Sequence, residues 1–188
     1  MKWIVPAGAV LALLVLFWAI GCYNRLQALR AAAMSALQQL AAAIGQRNHM
    51  AERLVATLDG NLQHERAVLA QVQAGVHRSA ALAEAAAITR GNREAMQALA
   101  AGEAQVGEGV WNLRNLCAAY PELVVNEALA QQWIELDAAI AGCQFAVEQY
   151  NQAAAAFAAA SRERPAAWLA QALYFPPFGP LQVGRSDG

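Results

Sequence analysis

The feature that most constrains this chain is an alternation of four- and three-residue steps between large or apolar side chains near its C-terminal end. Leu129, Trp133, Leu136, Ile140, Cys143, Val147, Tyr150, Ala154 and Phe157 follow it without a charged residue among them. Only a helix gathers such positions on one stripe, and a 3.5-residue repeat is the seam of helices packed in a left-handed bundle. Trp133 reads as the central anchor of that seam. A second seam runs through Met96, Leu99, Glu103, Val106, Val110, Leu113, Cys117 and Tyr120. Gly102, Gly107 and Gly109 each weaken this helix by up to ~1 kcal/mol relative to alanine, so packing must hold it. A third seam reads Val55, Leu58, Leu62, Glu65, Leu69, Val72 and Val76, and the earliest reads Leu26, Ala33, Leu37, Leu40 and Ile44. Breaks are expected at Gly45 to Asn48, at Thr89 to Asn92, and at Tyr120 to Asn126, where Pro121 disfavours continued helix.

No strand-like alternation appears, so the expected class is all-α. The four seams form an antiparallel four-helix bundle entered from an N-terminal transmembrane helix. The domain limits that follow are an anchor over residues 1–22, a bundle over 23–174 and an irregular tail over 175–188. A short helix is expected from Pro165 to Leu173; "YFPPFGPLQVGRSDG" is too rich in Pro and Gly to be regular.

Much of the 58% apolar content is alanine, which favours helix but buries little area per residue. The core must therefore rest on relatively few large side chains. Outside the anchor, acidic residues slightly outnumber basic ones, which offers no electrostatic footprint for nucleic acid. Cys117 and Cys143 would lie on opposite limbs of a helical hairpin turning near Leu123, with an axial offset of roughly 20 Å at 1.5 Å per residue. They should not bond.

Trp3 to Ile20 carries no charge and as a helix is about 27 Å long, close to the ~30 Å hydrocarbon core of a bilayer. Trp3 at one end, and Trp18 with Tyr23 at the other, stand where interfacial aromatics are favoured. The run is longer than the apolar region of a secretory signal, which favours an uncut single span. Ala19-Ile20-Gly21-Cys22 is nevertheless acceptable for lipoprotein processing, and lipidation of Cys22 is the lesser reading. Lys2 competes with Arg25 and Arg30, so orientation is weakly specified.

Residues for chemistry are scarce. His49, His64 and His77 form no Glu-x-x-His pair of the di-iron type, and no haem or phosphate-loop motif occurs. Ser35, Ser79 and Ser161 lack a turn-borne nucleophile context. Neither an enzyme nor a cofactor or metal site is expected. More informative are Glu65 and Glu103, which replace apolar residues in the seams. An unpaired carboxylate there would be costly or protonated; Arg47 or Arg66 is available to pair, or a small helix rotation lets the groups lean into solvent.

Five short segments, in collinear order, give the chain a resemblance to the LemA family of bacterial membrane-associated proteins. They are "YNRL" at Tyr23, "RNHMAERLVATL" at Arg47, "HER" at His64, "AYPEL" at Ala119 and "YNQAAAAF" at Tyr150, the last followed by Pro165. The chain departs from the family pattern at His49 and Glu52 and in "FAVEQ" before Tyr150. The resemblance implies a membrane-tethered helical bundle, sometimes in lipoprotein form, and carries no settled activity with it.

The expectation is therefore a single-pass protein of the bacterial cytoplasmic membrane that scaffolds another envelope protein or associates with itself. A sensor of a small ligand or signal, whose bundle shifts on binding, is the alternative. The candidate partner surface is Ala155, Ala156, Ala159 and Ala160, which lie off the core seam in a segment without charge and would let another helix approach closely.

Overall fold

The structure is a computed structural model that describes residues 4–60, 62, 65–163 and 176–182, with their side chains except those of residues 4–12 and Val124. Helix α1 spans Ile4–Asp59, α2 Arg66–Ile88, α3 Arg93–Ala118, the single turn α4 Pro121–Val124, and α5 Glu127–Arg162. The four long helices form an up-and-down bundle in which α1 packs on α5 and α2, and α2 packs on α3. Among the described residues there is no strand. The expected short helix from Pro165 to Leu173 lies outside the described residues.

Two of the expected breaks form as turn chemistry dictates. Asn92 caps α3, its side chain accepting from the Ala95 N–H at 2.8 Å, and Asn126 caps α5 by accepting from Leu129 N–H at 3.1 Å. Such caps satisfy N–H groups that the first helical turn leaves without intrahelical partners.

The break expected at Gly45 to Asn48 does not exist. The first helix continues through it to Asp59, and the chain reverses only at Gly60 to Glu65. One glycine costs a helix only ~1 kcal/mol, which packing readily offsets, and Arg47 and Asn48 prove to be inward-facing rather than loop residues. The seam expected on a single helix from Val55 to Val76 is thereby split: Val55 and Leu58 close α1, while Leu69, Val72 and Val76 open α2. All five are still buried, because each half keeps its inward face after the chain turns back.

The glycines of α3 divide by what they face. A Cβ on Gly109 would lie 3.4 Å from Val72 Cγ2, one on Gly102 would meet Leu82 Cδ1 at 2.7 Å, and one on Gly75 of α2 would meet Val106 at 3.6 Å. Missing side chains at Gly102 and Gly109 bring α2 and α3 close together, whereas Gly75 has room for a Cβ at ordinary contact distance. The backbones of α3 and α5, by contrast, stand apart. Their seam is filled by Trp133 under the Arg114 guanidinium, which lies 4.7 Å from the ring centroid, and by the Arg114–Asp137 ion pair. Trp133 is therefore only half-buried. So are Ile140 and Val147, which recur at seven-residue intervals on the same flank of α5. The central anchors are instead Leu136, Tyr150 and Phe157, each fully buried.

Among the described residues no helix is long and apolar enough to cross a membrane. The apolar run expected as an anchor begins at Trp3, and its side chains up to residue 12 lie outside those described. All three cysteines are free thiols, as the axial offset of Cys117 and Cys143 required.

Candidate functional site: three polar staples across the bundle

Two apolar clusters make up the core. One, toward the N-terminal end of α1, contains Leu37, Leu40, Met96, Leu99, Tyr150 and Phe157; the other contains Leu54, Leu58, Val76, Val106, Leu113 and Leu136. Between them lies a layer of polar side chains, buried to within a few per cent: Arg47 and Asn48 from α1, Ser79 from α2 and Glu103 from α3. Each occupies the heptad step between the two clusters: Ile44 and Ala51 flank the first pair, Val76 and Ala83 flank Ser79, and Leu99 and Val106 flank Glu103.

The layer is internally satisfied. Arg47 grips Glu103 bidentately, Nη1 donating to Oε2 and Nη2 to Oε1, the latter at 3.0 Å. Ser79 donates to the same Oε1 at 2.6 Å and accepts from Arg47 Nη2 at 3.1 Å. Asn48 Oδ1 accepts from Arg47 Nε at 3.2 Å and Nη2 at 2.7 Å, while its amide donates to the Val76 carbonyl at 3.2 Å. Two parallel charge-assisted bonds fix the plane of the guanidinium, and no member is left with an unmet buried charge. The α5 side of the layer is Cys143, whose thiol is pushed up by burial, pulled down by the Arg47 charge and pushed up again by Glu103.

Glu103 is thus the inward seam carboxylate expected from sequence, and Arg47 is its partner. Glu65 is different. It stands at the start of α2 rather than inside a seam, half-buried, and accepts from the Tyr120 hydroxyl at 3.4 Å. That contact ties the α1–α2 turn to the end of α3; burial, with the charge and hydrogen bond of Glu65 added to it, raises the Tyr120 pKa. Of the four alanines, Ala155, Ala156 and Ala159 are exposed as expected, but Ala160 is not: it is 3% exposed, within the core. Six residues after Ala154, it returns to the inward flank of α5. Cys22 lies half-exposed on the continuous α1.

A third set of polar contacts was not foreseen. The segment 176–182 returns to the bundle, where the Tyr150 hydroxyl donates to the Gly179 carbonyl at 2.7 Å. Asn151 closes a two-bond clamp on Leu181, donating to its carbonyl at 2.9 Å and accepting from its N–H at 2.8 Å. The Gly179 N–H donates to the Gly91 carbonyl at 2.8 Å. Phe178 meets Phe157 edge to face at 5.3 Å between centroids. The sequence signal was present in the Tyr150-Asn151 pair, but nothing local says what such a pair binds.

Four of the five motifs that carried the sequence resemblance, all but "YNRL", now have structural roles. "RN" supplies the buried layer, the Glu of "HER" meets the Tyr of "AYPEL", and "YN" holds the C-terminal segment. The family described as "LemA family" matches residues 36–187. The chain belongs to the LemA family. No curated protein matches the sequence. Residues 36–187 of this LemA-family chain include every member of the three staples.

What the site can do chemically follows from its closure. Among the described residues no group of three or more His, Cys, Asp and Glu side chains is placed to hold a metal ion. His77 and Glu52 approach to 3.9 Å, but at the surface. A shallow groove of about 430 Å³ between α1 and α5 is lined by Ala43, Gln46, Met50, Glu135, Ala139 and Gly142. Its one carboxylate, Glu135, is within 3.4 Å of Arg53.

Proposed function

We infer that this LemA-family chain is a membrane-tethered, non-catalytic helical scaffold. It is held in the bacterial cytoplasmic membrane by a single span within residues 1–22, and acts by docking another envelope protein or a second copy. The observation that carries the tether is the change in α1 along its length. Leu13, Leu14, Val15, Leu16, Phe17 and Ile20 are all 47–70% exposed, so one unbroken helix is apolar on every side there, and from Leu26 it buries a single stripe. Exposed apolar surface around a full turn calls for an apolar solvent, and the charge-free run from Trp3 supplies enough length to reach across one.

Scaffolding is favoured over ligand sensing because a sensor needs polar groups converging on a pocket. Glu103, Glu65 and Tyr120, the candidates for such groups, are engaged with Arg47, Ser79 and one another. A face open to a partner is the outer side of α5, where Ile134 and Phe145 are 62% and 63% exposed alongside Ala155, Ala156 and Ala159.

The test has two arms. In alkaline carbonate the full chain should stay with bacterial membranes, whereas a form lacking Met1–Cys22 should be released. Intact mass should show an unmodified Cys22, and loss of residues 1–21 with added acyl chains would replace the span by a lipid anchor. A photo-crosslinker at Phe145 or Ala156 should give one discrete adduct in the membrane. No adduct at either position would overturn the scaffold reading.

A further inference from the structure

The contacts made by residues 176–182 are those of a ligand seated in a receptor. Phe178 and Leu181 are 9% and 1% exposed, while Pro176, Pro177, Pro180 and Gln182 face out. Side chains therefore enter the bundle only at the aromatic and aliphatic positions. Between these two, Gly179 passes so close to the start of α3 that a Cβ there would lie 2.6 Å from Arg93 Cα. The floor is shaped by the α2–α3 turn. Arg90 and Gly91 both adopt positive φ, at 55° and 65°, and a Cβ on Gly91 would lie 2.7 Å from the Tyr150 hydroxyl.

The polar groups of the cleft are aimed at the backbone of the segment rather than at each other. Asn151 reads both the N–H and the C=O of one residue, as a neighbouring β-strand would, and Tyr150 and the Gly91 carbonyl take the next backbone groups along. Main-chain bonds with pockets for selected side chains are the way extended peptides are commonly bound. Three prolines hold the segment near its extended form before it docks, which lowers the entropy lost on binding. Emptying the cleft would strand the bonding groups of Tyr150 and Asn151 next to apolar neighbours, which favours refilling.

We propose that the cleft formed by Gly91–Arg93, Tyr150, Asn151 and Phe157 is a binding site for an extended Phe-Gly-Pro-Leu peptide, filled in cis by the chain's own residues 178–181 and in trans by the same segment of a second copy. The cis segment competes with any trans ligand, so the unaltered chain is self-capped. Copies held in one membrane would exchange segments at the high effective concentration that shared tethering provides.

The experiment is peptide binding by fluorescence anisotropy to the detergent-solubilised full chain, using labelled Pro-Pro-Phe-Gly-Pro-Leu-Gln as probe. Gly179→Ala in the chain ejects the cis segment without touching the cleft, and should raise affinity for the probe at least tenfold over the unaltered chain. Gln182→Ala, at an exposed position, should not. A probe carrying alanine in place of its glycine should fail to bind the Gly179→Ala chain, and Asn151→Ala added to that chain should abolish binding of the original probe. Should Gly179→Ala lose helix content, Leu181→Ser frees the same cleft and carries the same expectation. Equal affinity of the opened and unaltered chains, or equal binding of both probes, would overturn the proposal and make residues 176–182 a fixed part of the core.

Discussion

The two halves of the bundle core, on either side of the Arg47 layer, are built by different means. The half farther along α1 is aliphatic: Leu54, Leu58, Val72, Val76, Val106 and Leu113 interlock where Gly109 lets α2 and α3 approach closely. The half nearer the proposed membrane span uses small and large residues together. Ala33, Ala83, Ala86, Ala146 and Ala154 bring helices near, and Tyr150, Phe157 and Phe178 fill the remaining space. Aliphatic interlocking is complete within the four long helices and the connections between them, which supply Leu62 and Leu123. The alanine-rich half is not, and it draws Phe178 and Leu181 from the C-terminal segment to close itself. Alanine gives helix at little cost but buries little area, so a stretch rich in it needs volume from elsewhere.

The sharpest way to break the comparison is at the layer between the halves. Glu103→Gln, or Arg47→Met alone, leaves a buried charge without its partner and should cost about 3–5 kcal/mol. The pair Arg47→Met with Glu103→Leu should recover part of that loss, since it removes both buried charges but leaves Asn48 Oδ1 and the Ser79 hydroxyl without the partners they have in the layer. Urea unfolding of the three variants checks both statements. A stable single variant would mean that the layer does not join the halves electrostatically.

The next effect separates the halves by pH. Burial pushes the Tyr150 phenol up from 10 to about 12. The folded chain then keeps a proton that the unfolded chain releases above pH 10. The contribution of this phenol to stability is unaffected below pH 10 and falls as pH rises toward 12, by about 2–3 kcal/mol at most for a shift of this size. Tyr150→Phe should remove that dependence. Amide exchange above pH 10 should accelerate first around Gly91, Gly179 and Leu181, and later around Val106 and Leu136.

A smaller effect tests the wide α3–α5 seam. Trp133→Ala should cost about 1–2 kcal/mol, the loss of a half-buried ring and its contact with Arg114, well below the 3–5 typical of a fully buried aromatic. Phe157→Ala, in the aromatic half, should reach the larger range. Thermal melts of the two variants give the ratio directly.

The smallest expected change favours stability. Gly75→Ala meets Val106 only at ordinary contact distance, 3.6 Å, and should stabilise by about 0.4–1 kcal/mol through helix propensity and reduced freedom of the unfolded chain. Gly91→Ala should do the reverse, because φ of 65° and the nearby Tyr150 hydroxyl both exclude a Cβ. Opposite signs at two glycines of neighbouring elements would show that helix packing tolerates a side chain at Gly75 whereas the turn requires glycine at Gly91.

Much was legible from sequence because it depends on spacing alone. The heptad steps placed the inward face of α3 correctly and that of α5 except for the half-buried flank of Trp133, Ile140 and Val147, and the turn residues at Thr89–Asn92 and Tyr120–Asn126 ended helices where local chemistry said they would. Glu103 was recognisable as an inward carboxylate because it interrupts a regular seam. The break between α1 and α2 was not decided locally. Gly45 and Gly60 carry similar helix penalties, and the difference lies in Arg47 and Asn48, which must remain helical to reach Ser79 and Glu103.

What the sequence determined by itself was therefore periodic: four apolar seams, an all-helical class, and an apolar N-terminal run set apart from an amphipathic remainder. What only the tertiary structure decided was pairing over distance. Arg47 meets Glu103 across 56 positions, and Asn151 meets Leu181 across 30. The reason is physical. Periodicity records which face of a helix avoids water, a property of each residue and its near neighbours. A buried ion pair or a backbone clamp records which two faces meet, and that is fixed only when the whole core closes around them.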